Sequence, residues 1–101
     1  MAVRQAFQPV YTKGQTVTPA VAAAAITIGK GNKSLTLSNL GVNICYVRVS
    51  NSANGAADAS VADYPIMAGS KETISKAQDD DTLSHISAAG TTLHVIPGEG
   101  E

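Results

Sequence analysis

Along most of the chain, short runs rich in β-branched and apolar residues alternate with clusters of Gly, Asn, Asp and Ser. This punctuation predicts strands and turns rather than helices. Leu35 and Leu37 alternate with Thr36 and Ser38, and Cys45, Val47 and Val49 alternate with Tyr46 and Arg48. A period of two gives each strand one buried and one wetter face. The predicted strands are Thr16 to Thr18, Ala22 to Ile28, Ser34 to Ser38, Ile44 to Ser50, Tyr64 to Met67, Glu72 to Ser75, Thr82 to Ser87 and Thr91 to Ile96. The alanine run has helical propensity, but Pro19 precedes it and Ile26, Thr27 and Ile28 follow, so it reads as strand.

The turns carry their own chemistry. Gly29-Lys30-Gly31-Asn32 tolerates positive φ and predicts a hairpin joining the strands that contain Ile28 and Leu35. Asn39-Leu40-Gly41 and Ala68-Gly69-Ser70 read the same way, and Ala88-Ala89-Gly90 links the last two strands. The stretch from Ser50 to Ala62 has small residues and no apolar anchor before Val61, which predicts a long exposed loop. Past Ile96, Pro97 predicts the end of the sheet. So many short strands predict an all-β, two-sheet sandwich of jelly-roll or immunoglobulin-like type, with both connectivities open.

Residues 1–14, MAVRQAFQPVYTKG, show neither helical period nor a capped start and read as an extended N-terminal arm before a single β-sandwich domain, residues 15–101. Pro9 lacks an N–H and biases Gln8 away from the α region. Extended at roughly 3.3 Å per residue, the arm would reach about 40 Å. Val3, Phe7, Pro9, Val10 and Tyr11 are its candidate interface residues, placed either on a neighbouring chain or along the domain's own sheet edge.

Composition narrows the function classes. With 101 residues there is room for one core, and with no Trp, one Phe and three Tyr that core is thin and rich in alanine and valine. Burial stabilises by roughly 25 cal/mol per Å², so small side chains contribute little and partner surfaces are expected to complete the burial. Seven basic against eight acidic residues give a formal charge of −1, without the basic face that nucleic acid requires. No apolar run of about 18 residues predicts a membrane span, and no charged-then-apolar leader predicts secretion. A single cysteine, Cys45, excludes an internal disulfide and a cysteine-based zinc cluster, leaving oligomerisation as the staple.

Candidate chemistry is sparse. Cys45 falls on the apolar face with Val47 and Val49 and reads as an inert buried thiol. His85 and His94 lie on strands joined by a short loop: one register sets them side by side, another turns them to opposite faces. Either way they supply only two of the ligands a zinc ion needs. Asp79, Asp80 and Asp81 lack the spacing of a calcium loop and read as a solvated, self-repelling turn. Gly29 to Ser34 lacks the spacing of a phosphate-binding loop and leads into a strand. No catalytic, cofactor or metal residue is expected, and no small-molecule substrate; the chain is read as non-enzymatic.

The arm MAVRQAFQPVYTKG, the alternation KSLTLSNLGVNICYVRVSNS, the run DYPIMAGSKETISK and the ending GTTLHVIPGEGE resemble small structural proteins of tailed bacteriophages, especially capsid decoration or cement proteins. The resemblance is one of style over residues 15–100. It implies a homotrimer on the outer surface of an expanded head, made in the bacterial host cytoplasm. Its partners would be the major capsid protein and copies of itself. Tail, neck or fibre components are the nearest alternative. From another class, a carbohydrate or host-surface binding module would use the Ser50 to Ala62 loop.

Overall fold

The computed structural model describes residues 7–55 and 57–99, so Val3 lies outside the described residues. It is all-β, with two antiparallel sheets packed as a sandwich. The strands are β1 (Gln8–Pro9), β2 (Gln15–Val17), β3 (Ala24–Thr27), β4 (Ser34–Asn39), β5 (Cys45–Ser50), β6 (Tyr64–Ile66), β7 (Lys71–Ser75), β8 (Thr82–Ile86) and β9 (Leu93–Glu99). One turn of 3-10 helix, Ser52–Asn54, interrupts the loop after β5. One sheet runs β1-β9-β4-β7, with β2 also paired to β9; the other runs β3-β8-β5-β6.

The alternating positions behave as their period demands. Leu35, Leu37, Cys45, Val47, Ile66, Leu83, Leu93 and Val95 are buried between the sheets with Ile28, and Val17, Ile26, Val49 and Ile74 pack around them. Each fully buried aliphatic side chain contributes about 1.5–3 kcal/mol. The expected alanine-rich core is not what forms. Among the described residues only Ala59 is a buried alanine, and Ala24 and Ala25 of β3 are exposed. All four aromatic side chains also lie outside the core cluster.

The turns depart from expectation in a consistent way. The links after β3, β4 and β6, expected as hairpins, each carry the chain from one sheet to the other, as does the link between β8 and β9. From β2 onward, only the long β5-to-β6 connection stays within one sheet. Glycines at positive φ, such as Gly69 at 73° and Gly90 at 84°, make the reversals possible. A tight reversal can return the chain beside its predecessor or arch it across to the facing sheet about 10 Å away, and local turn chemistry does not distinguish the two.

Pro97 also departs from expectation, because β9 continues through it to Glu99 with Leu35 opposite Pro97. Its carbonyl accepts from Val10 N–H at 2.8 Å, so its nitrogen points to that same side, away from β4. On that side β2 ends its pairing at Val95 and β1 begins at Gly98. The missing N–H therefore faces Val10, whose carbonyl accepts from Lys13 N–H at 3.2 Å instead, so that acceptor is not left unpaired.

Candidate functional site

The described part of the arm runs along the domain's own sheet. Gln8 pairs with Glu99 and Pro9 with Gly98, and Val10 bonds to Pro97. Phe7 sits over Gly98 on the outer face of the first sheet, where a Cβ at position 98 would collide with its ring. After Val10 the chain reverses in a turn closed by Lys13 N–H to Val10 C=O at 3.2 Å. Thr12 occupies this turn at φ 70°, a conformation unfavourable for a β-branched residue. Tyr11 beside it is 77% exposed. Phe7, Pro9 and Val10 are thus half-buried against their own sheet, and Tyr11 alone of the four faces solvent.

Phe7 and Pro9 form one wall of a groove of about 410 Å³ across the outer face of that sheet, floored by Thr36, Ser38, Thr73 and Ile96 and flanked by Lys71 and His94. Thr36 and Thr73 hydroxyls bond at 2.9 Å, and Thr16 Oγ1 lies 3.2 Å from His94 Nδ1. The alternation of Thr and Ser with Leu on β4 predicts a polar outer face, but only the long-range pairing of β4, β7 and β9 assembles the groove. Thr16 and His94 are an exposed hydrogen-bonded pair, and among the described residues no carboxylate is hydrogen-bonded to the imidazole.

The remaining candidates separate in space. His85 and His94 lie in different sheets: His85 stands opposite Ala24 and Val47, His94 opposite Thr16 and Ser38. The side-by-side register does not occur, because the link between their strands changes sheet. Among the described residues no three His, Cys, Asp or Glu side chains gather as metal ligands. His85 is buried with Nδ1 unpartnered, and burial lowers its pKa. Cys45 is also buried, and desolvation pushes its thiol up to about 11.

The three aspartates are less alike than their sequence implies. Asp81 accepts from Ser52 N–H at 3.0 Å, Ser52 Oγ at 2.8 Å and Thr82 Oγ1 at 3.0 Å, and these bonds lower its pKa to about 2. Asp80 contributes its backbone carbonyl to the Lys76 ammonium at 2.9 Å. The loop after β5 is pinned as well: Ala59 is buried on β8, its N–H bonded to Ser84 Oγ at 2.8 Å, while Val61 stays exposed. A small residue fits close above the small Ser84, so an alanine anchors the loop ahead of Val61.

No protein-family model, curated protein or solved structure matches the chain.

Proposed function

We propose that this chain is a structural protein of a tailed-bacteriophage particle and, in its specific form, a capsid decoration protein that bridges capsomers and stabilises the expanded head. The observation that carries this reading is the strand order. Numbering from β2, the sheets run 2-9-4-7 and 3-8-5-6. That order supports reading the sandwich as an eight-stranded jelly roll, an architecture used by viral capsid domains, rather than as the ABED and CFG sheets of an immunoglobulin domain. The half-exposed arm and its Tyr11 turn supply a contact for the major capsid protein. A trimer on the outer capsid surface would then bind with avidity through three such contacts.

Copy number tests this reading. Quantitative mass spectrometry of the assembled particle should find the chain at hundreds of copies, as a head-shell component requires; a small multiple of three or six would move it to the neck or tail. Tyr11→Asp should weaken binding to heads lacking the protein. This is a cleaner test than deleting residues 2–12, which also removes Phe7 from its seat on Gly98. Lectins share the jelly-roll architecture. The hydroxyl-lined groove beside Phe7 therefore favours carbohydrate binding as a second reading, which consistent hits on a glycan array would support.

A further inference from the structure

Four loops meet at one end of the sandwich: residues 18–23, 40–44, 67–70 and 87–92. Their contacts are mutual. Ser87 N–H bonds to Ala20 and Thr91 N–H to Pro19, Leu40 N–H bonds to Thr92, and Gly69 N–H bonds to Asn39. Asn39 is the hub. Its buried side chain donates to Asn43 C=O at 2.9 Å and Ile66 C=O at 3.0 Å, and accepts from Gly41 N–H at 3.1 Å and Thr91 Oγ1 at 2.7 Å. Asn43 in turn donates to Gly90 C=O at 2.8 Å, and Ser87 Oγ to Ile44 C=O at 2.8 Å.

This braced end holds apolar side chains out in solvent. Val42 is 86% exposed, Val21 76%, Leu40 64% and Met67 57%. None of the four loops contains Asp, Glu, Lys or Arg. The opposite end carries both signs, with Lys30, Lys33, Asp79, Asp80 and Asp81 on its loops. Surface apolar residues scattered singly are ordinary, but these four stand at one end of the sandwich on loops hydrogen-bonded to one another, so little ordering is left to oppose a contact there.

We propose that this charge-free end is where copies of the chain meet one another. Charge selects the occupant. Around a closed symmetry axis each residue approaches its own image, so any charge near the axis would face a like charge. Loops without charges, presenting Val21, Leu40, Val42 and Met67, meet their own images without that repulsion, and bury apolar side chains on both copies. The proposal deepens the assembly reading above and rests on it for the expectation of a homo-oligomer. Its test uses the purified full-length chain alone, so failure on capsids and failure of self-contact are separate results.

Analytical ultracentrifugation across a range of protein concentrations should show the wild type as an oligomer. Val42→Asp and Leu40→Asp should each raise its dissociation constant at least about tenfold. Ala77→Asp, exposed on the opposite end, should leave it unchanged. Because an aspartate variant could instead disturb the loops, its far-UV circular dichroism is compared with wild type, and Val42→Cys provides an independent arm. Cys45 is buried, so mild oxidation should cross-link Val42→Cys into dimers while leaving wild type uncross-linked. A wild type that stays monomeric, aspartate variants that stay oligomeric, or a Val42→Cys chain that fails to cross-link would each overturn the proposal.

Discussion

The ring of Phe7 occupies the space into which a side chain at Gly98 would project. The single phenylalanine of the chain is therefore spent on an outer sheet face, holding the arm where β1 meets β9. Gly98→Ala should destabilise the fold by about 1–3 kcal/mol through overpacking. Combined with Phe7→Ala, the loss in urea denaturation should be smaller than the sum of the two single effects, because the ring's share of the crowding disappears while that of the Gln8 carbonyl remains. Strict additivity would show that the seat is not shared.

Asn39 uses both its amide oxygen and its amide nitrogen within the four-loop end. Asn39→Ala leaves those donors and carbonyls without their partner, at roughly 1–3 kcal/mol for each group that water cannot reach. Thermal unfolding should show it, since each kcal/mol shifts Tm by roughly 4–8 °C in a domain of this size. Amide exchange at Gly41 should accelerate in the variant.

Acid should act through Asp81. Its pKa falls from 3.8 to about 2 on folding, so the folded state holds its proton less tightly than the unfolded chain. The stabilisation is complete above 3.8 and is lost as pH falls through about 2. Asp81→Asn should flatten the stability profile across that window in pH-dependent denaturation.

His85 acts in a higher window. Burial depresses its pKa below the ordinary 6.5, so the unfolded chain takes up the proton first as pH falls. Stability should be full above 6.5 and decline below it until the folded-state pKa is passed. His85→Leu removes both the titration and the unpartnered Nδ1. It should keep neutral-pH stability while removing this decline; an unchanged decline would assign it to another group.

Thr12 holds a left-handed conformation in the turn that presents Tyr11. Thr12→Gly relieves it and should raise stability by about 1 kcal/mol in chemical denaturation.

Leu35, Leu37, Cys45 and Val47 announce a buried face by alternation, and the structure buries all four. Gly69 and Gly90 announce reversals at the places where the chain reverses. Period and turn chemistry are local properties, set by backbone geometry within a few residues, so an all-β sandwich was determined by the sequence itself. Which sheet each strand joins was not: the reversal at Gly29 to Asn32 leads from β3 to β4 in the facing sheet, because β8 and β9 bind those strands from far along the chain. The groove under Phe7, the separation of His85 from His94, and the charge-free end braced by Asn39 depend on the same long-range pairings. Only the tertiary structure decided them, because burial and hydrogen bonding between distant segments choose among arrangements that local preferences leave equal.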